Sequence, residues 1–314
     1  MLRTSCIALA WAAAATGYVA AGPRIRSPAR RTWPLAAAEQ QPPPPHTTRR
    51  RALSAAAAGL LGAGLTLGRP AASRAMWQLW FPSDQLDYVE RYSTVGNASS
   101  VLGAMDYTAE TSWMMNMGAE KGAILEGLLD ERSPPCVLEI GSFCGYSSIR
   151  IAREMGRQMD AGRLPKTAEF VTIEKDPETA RVALACLSRA GIQVEGQPPP
   201  PVPAPGQHPK MTLIVGVSDE VLPKLARQRR SFDFVLMDHW KELYGPDIQR
   251  LGKLGLVARG TAVLADNIVI PGAPDYLKYL YSDAGSKLWE TSLISVPFEY
   301  RPETPDAMSF SVRR

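Results

Sequence analysis

Lysine and acidic residues are nearly missing from the first quarter of this chain, and the shortage divides it in two. Residues 1–75 hold ten arginines, no lysine and a single acid, Glu39; of 35 basic and 31 acidic residues in all, 25 and 30 remain from Met76 onward. The formal charge of +4 is therefore an average over two regions, and the body is negative. That removes any compositional case for nucleic-acid binding. Cysteine is scarce as well: Cys6 lies in the first region, and Cys136, Cys144 and Cys186 in the second. An odd count without metal-ligand spacing excludes a disulfide framework and predicts packed, reduced thiols. Also missing is the three-glycine dinucleotide fingerprint, which argues against a nicotinamide dehydrogenase.

The first 75 residues read as addressing information rather than fold. An apolar run from Ile7 to Ala15 fits a secretory signal, and the Arg-, Ala- and Pro-rich stretch from Gly22 to Thr48 resembles a transit peptide. Arg49-Arg50-Arg51 then precedes an uncharged run from Ala52 to Gly68, with small residues up to Ala75, as in a twin-arginine signal. Three such signals in series predict import into a plastid and on into a thylakoid lumen. The alternatives are a membrane anchor over 52–68, which is at the short limit for a span, or a cytoplasmic protein. Reduced cysteines fit a lumen less comfortably than a stroma or cytosol.

From Met76 to Arg314 the chain reads as one globular domain. Residues 84–131 have helical spacing broken at Gly96-Asn97 and near Asn116-Gly118, which predicts N-terminal cap helices. Strands are then expected near 136–141, 168–174, 211–216, 233–238 and 261–266. Helices are expected near 146–156, 176–190, 218–228, 246–254 and 274–282. Alternation of this kind means parallel βαβ units in a doubly wound, Rossmann-like α/β sheet. Runs at 290–297 and 307–312 have no helix between them and should close the sheet as an antiparallel pair. Gln197 to Pro209 is too proline-rich for strand or helix and predicts a stiff exposed loop.

Charge gathers where strands stop. FDFVLM at 232–237 runs into Asp238, His239, Trp240 and Lys241, and TAVLA at 261–265 runs into Asp266 and Asn267. In open α/β sheets ligands bind outside the carboxyl ends of the strands. Three oxygen donors on neighbouring strand ends suit a hard cation such as Mg²⁺. The first strand leads through Glu139 into a turn with Gly141 and Gly145, then Ser147 at the head of a helix, which would let a ligand approach the backbone. Glu174 ends the second strand, where such folds place an acid for ribose hydroxyls; capping the next helix is an equal alternative. Duller roles exist for the others too. Asp266-Asn267 could start a turn, Asp238 and Lys241 could form a surface ion pair, and His239 could be a satisfied structural histidine.

The segments MNMGAEKG, LEIGSFCGYSS, IEKDPE, VGVSDE, MDHWKELY, LADNIVIPG and FEY occur in the order and spacing of the catechol O-methyltransferases. This resemblance covers the chain from about Val89 onward. It implies a seven-stranded, S-adenosylmethionine-dependent methyltransferase that uses Mg²⁺. Carried over by position, Asp238, Asp266 and Asn267 would be the metal ligands, Lys241 the base, and Glu299 the acid holding the substrate's second hydroxyl. Met115, Met117, Glu139, Gly141, Ser147, Glu174, Ser218, Asp238, His239 and Trp240 would hold the cofactor. Trp113, Trp240, Pro271 and Phe298 would wall the aromatic substrate, with Lys241, Asn267 and Glu299 on its hydroxyls. The implied reaction moves a methyl to one hydroxyl of a catechol-type diphenol in a monomeric protein. A caffeoyl- or flavonoid-type diphenol methyltransferase and a non-catalytic cofactor-binding protein are the alternatives. Three positions depart from the family pattern: Phe143 lacks an expected hydroxyl, and Lys175 and Arg301 stand where apolar residues are expected.

Overall fold

The computed structural model of the chain describes residues 81–112, 114–228 and 230–314. The leader readings for 1–75, the anchor reading at 52–68 and Trp113 lie outside them. Among the described residues no helix is long and apolar enough to cross a membrane.

Three cap helices come first: α1 (Pro82–Tyr92), α2 (Ala98–Thr111) and α3 (Gly118–Arg132). The breaks between them fall where the sequence placed them. Gly96 takes a positive φ of 78°, and Asn97 caps α2 by accepting from the Ser100 amide at 3.0 Å. Then strand and helix alternate: β1 (Cys136–Ile140), α4 (Tyr146–Asp160), β2 (Glu169–Glu174), α5 (Pro177–Arg189), β3 (Lys210–Val215), α6 (Ser218–Arg227) and β4 (Phe232–Met237). They continue through α7 (Tyr244–Lys253), β5 (Val257–Ala265), α8 (Pro274–Leu280), α9 (Asp283–Leu288), β6 (Trp289–Phe298) and β7 (Arg301–Arg313).

The seven strands lie in the order β3-β2-β1-β4-β5-β7-β6. β1 to β5 pair in parallel, and β7 runs antiparallel to both β5 and β6. Strand order reverses between β1 and β4, so a crevice opens above their carboxyl ends. The inner parallel strands β1, β2 and β4 are almost wholly buried, as their near-continuous apolar runs require, while the edge strand β3 is only partly so. Val137, Phe170, Phe234 and Leu264 pack with the cap helices, α4 and α5, while Leu138, Val171, Val235 and Val263 pack with α6, α7 and α8.

Two strands are longer than the periodicity suggests. β5 starts at Val257, ahead of a register shift opposite Phe232 and Phe234, and β7 starts at Arg301. Pro302 and Pro305 mask the start of β7, yet both are tolerated because β5 pairs with β7 only from Ser309 to Val312, so the first half of the strand is open on that side. Residues 197–209 form neither helix nor strand, as expected, and are largely exposed. They are nonetheless docked: the Ala204 amide donates to Gly191 O at 2.9 Å and the Gln207 amide to Asp160 Oδ1 at 2.9 Å. Cys136, Cys144 and Cys186 are free thiols, and burial pushes that of Cys186 up to about 12.

Candidate functional site

The site residues sit where β1, β2, β4 and β5 end. Gly141, at φ 96°, follows β1 so closely beside Asp238 that a Cβ there would strike the Asp238 carbonyl. Below the turn Glu139 is wholly buried. Its Oε2 accepts from Ser148 and, at 2.6 Å, from Thr172 Oγ1, while Oε1 has no partner. Burial raises its carboxyl to about 7 against the opposing hydrogen bonds from Ser147, Ser148 and Thr172. Glu174 accepts from the Phe143 amide at 2.9 Å and the Asp176 amide at 3.0 Å, so it ties the glycine turn to the end of β2. The helix cap that competed for Glu174 is made by Asp176, which accepts from the Thr179 amide at 2.7 Å.

Around this turn Ser147 and Ser218 are buried at the heads of α4 and α6, and the Ser218 hydroxyl has no partner. Met117 is buried and Met115 exposed. His239 gives Nε2 to Asp247 Oδ2 at 2.9 Å, which fits the structural role, yet its Nδ1 is buried and unpartnered. Trp240 is 62% exposed, and the Lys175 ammonium lies 4.8 Å from its ring centroid. The departure at Lys175 thus replaces an apolar wall with a cation–π contact.

At the next strand end Lys241 donates to Asp238 Oδ1 at 3.0 Å and to the Tyr244 hydroxyl at 2.7 Å. Tyr244, fully buried, in turn reaches Met237 O at 2.7 Å and Asp266 O at 3.1 Å, which links the ends of β4 and β5. Asp266 is fully buried; its Oδ1 accepts from the Asn267 amide at 2.6 Å, and its Oδ2 has no partner. Burial first, and then the Asp238 charge, push the Asp266 carboxyl well above the usual range. Asn267, in the left-handed region, donates from Nδ2 to Glu299 Oε1 at 2.7 Å and Asp306 Oδ2 at 3.0 Å.

The sequence reading and the structure differ in which acids sit closest together. Asp266, Glu299 and Asp306 bring ligand oxygens within 4.8 Å of one another, whereas Asp238 stands beside them, paired with Lys241. A lysine lies among those three: Lys121 Nζ is 2.7 Å from Asp266 Oδ1, 2.7 Å from Asp306 Oδ2, and in contact with Glu299. Burial opposes its charge, but the surrounding carboxylates hold the ammonium above the usual lysine range. Lys121 and Asp306 carry no role in the sequence reading. A signal existed for Lys121, which shares helical spacing with the buried Leu125, Leu128 and Leu129 and so had to face inward. Asp306 is in phase with Met308 on β7, but the prolines before it conceal the strand.

The donor atoms left over fit a hard divalent ion. They are the buried, unpartnered Asp266 Oδ2, the Asp238 carboxylate, and the Asn267 Oδ1 that remains once Nδ2 is committed to acids. Phe298 borders the cluster, its ring centroid 5.8 Å from Lys121 Nζ, and Pro271 is exposed in the turn at Ile268–Gly272 after Asn267.

The model of a family described as O-methyltransferase matches residues 98–274, more than half of the chain. Mouse catechol O-methyltransferase is 35% identical over 218 residues, which are 68% of this chain and 72% of the mouse protein. Zebrafish catechol O-methyltransferase B is 35% identical over 209 residues, 66% of this chain and 70% of that protein. Among solved structures, an O-methyltransferase from Bacillus cereus in complex with SAH superposes with a TM-score of 0.51 at 17% identity, covering 74% of this chain and 91% of the other, a likeness of fold. By its matched residues and its curated relatives, the chain belongs to the O-methyltransferase family.

Proposed function

We propose that the protein transfers the methyl group of S-adenosylmethionine to one hydroxyl of a catechol-type diphenol with the help of a bound divalent cation, Mg²⁺ being the natural choice. The observation that carries this reading is the convergence of Asp238 with Lys241, and of Asp266 with an unpaired buried oxygen, Asn267 and Glu299, at adjoining strand ends. The catechol O-methyltransferases among its relatives support the substrate class.

Methyl transfer from a sulfonium to oxygen is an in-line displacement, so the protein must produce a phenolate and align it. Lys241 takes the hydroxyl proton at Nζ, and its contacts to Asp238 and Tyr244 fix where that nitrogen sits. Asp238, Asp266 and Asn267 would hold the cation, which when bound lowers the pKa of the hydroxyls it touches and disfavours a neighbouring ammonium. Glu299, held by Asn267, accepts from the second hydroxyl and sets the ring's orientation. Met115, Met117, Glu139, Gly141, Ser147, Glu174, Ser218, His239 and Trp240 would bind the methyl donor. The unpartnered Ser218 hydroxyl and His239 Nδ1 are free to meet its polar groups. Trp240, Pro271 and Phe298 would wall the bound ring.

The test is removal of metal. EDTA should abolish methylation of dihydroxybenzoate by the purified protein, and Mg²⁺ should restore it. Turnover that EDTA leaves unchanged would remove the metal from the reading.

A further inference from the structure

The proposed chemistry makes no use of the buried ammonium in the site. Lys121 on α3 is 1% exposed, and its ammonium meets the Asp266, Glu299 and Asp306 carboxylates together. Three carboxylates, two of them buried, gathered without a cation would repel one another at a high cost. An ammonium is a compact point charge with three donors, one for each of three acceptors. The cage is also tied to its surroundings. Asn267 Nδ2 donates into it, and Asp306 Oδ1 accepts from the amides of Val269 at 3.2 Å and Ile270 at 3.0 Å, which fixes the turn leading to Pro271. The lysine touches only one oxygen of Asp266; the other, Oδ2, is buried and unpartnered.

Building on the metal-assisted reading above, we infer that Lys121 is a positioning residue, the resident cation of the Asp266–Glu299–Asp306 cage. It holds the Glu299 carboxylate in place for the second hydroxyl of the diphenol and leaves Asp266 Oδ2 as the oxygen open to a divalent ion. The lysine and the ion take different oxygens of Asp266, so they coexist rather than compete. A second ion has no place in the cage, because the ammonium fills it.

Two measurements on the purified protein test this. In the unaltered protein, ¹H–¹⁵N spectra of lysine side chains should show a protected Lys121 ammonium that persists when Mg²⁺ is added; loss of its protection with Mg²⁺ would mean that the ion displaces it, and would overturn the inference. The second uses the charge-balanced variant Lys121→Met/Asp306→Asn. Binding of Mn²⁺, followed by EPR, and of S-adenosylmethionine, followed by calorimetry, should stay near the unaltered values. KM for dihydroxybenzoate should rise by about tenfold, as expected when one charged hydrogen-bond partner loses its place. An unchanged KM, or a uniform loss of Mn²⁺ and donor binding with it, would overturn the positioning role. Failure of the unaltered protein to bind Mn²⁺ is a separate result, visible without any variant; it would overturn the metal reading and the role built on it.

Discussion

Lys241 is held by two partners of different kind, the Asp238 carboxylate and the Tyr244 hydroxyl, so its nitrogen has little freedom to leave the strand end. If it takes the substrate proton, Lys241→Ala should lower kcat by about 10²–10⁴, the usual worth of a positioned general base, and leave donor binding intact. Single-turnover kinetics beside calorimetry separates the two effects. Glu139 gives a prediction of the opposite kind. Its carboxyl is raised by burial to about 7, so the proton is held more tightly in the folded state than in the unfolded one. Stability from this group is fully present below about pH 4.5 and is lost as pH rises through about 7, a change of about 3 kcal/mol. Glu139→Gln should therefore raise the urea midpoint of the donor-free protein above pH 7, with the advantage disappearing near pH 4. An equal difference at both pH values would exclude the burial of charge as its cause. Asp238, Lys241 and Asp266 stand out in the sequence because they end apolar runs, and Glu299 only because FEY falls in one family's order. Lys121 and Asp306 were not, because a single charge among leucines or between prolines does not announce which others it meets in space.

The hairpin of β6 and β7 does more than finish the sheet. Its turn carries Glu299 and Tyr300, and Tyr300 takes the left-handed conformation at φ 54°. The Tyr300 hydroxyl donates to Asp106 Oδ1 on α2 at 2.8 Å, beside the Tyr146 hydroxyl at 2.7 Å, and Arg150 donates to Tyr146 at 2.9 Å. A cap helix thus hooks the turn that presents Glu299. Tyr300→Phe should cost about 1–3 kcal/mol in chemical unfolding, because Asp106 loses a buried donor, and should raise KM for the diphenol more than it affects donor binding. Element order and the parallel strands were readable from the alternation of apolar runs, with boundaries within a few residues. The full length of β7 was not, since Pro302 and Pro305 look like loop and are accommodated only because β5 leaves that part of the strand unpaired on one side. Periodicity is a local signal, and strand order is not.

Across the whole molecule the two edges of the sheet have different work. The carboxyl ends of β1, β2, β4 and β5 hold the candidate site. The proline-rich stretch 197–209 precedes β3 and docks on Asp160 at the end of α4, at the opposite edge. Replacing 198–203 by a Gly-Ser segment should lower the melting temperature through the freer chain, yet leave kcat and KM unchanged; a changed KM would show that the two edges communicate. For the leader read at 1–75, sequencing the mature N-terminus after cell fractionation is the direct test. β7 follows β6 in the chain but lies between β5 and β6, so the hairpin joins the sheet as a unit and the cage around Lys121 closes only when it has docked. Occupancy of the neighbouring ion site should then act as a clasp on a hairpin that lies wholly downstream of its ligands Asp238, Asp266 and Asn267, through the bonds from Asn267 to Glu299 and Asp306. Amide hydrogen exchange in β6 and β7 should slow when Mg²⁺ is added, while exchange in β2 and β3 stays as it was.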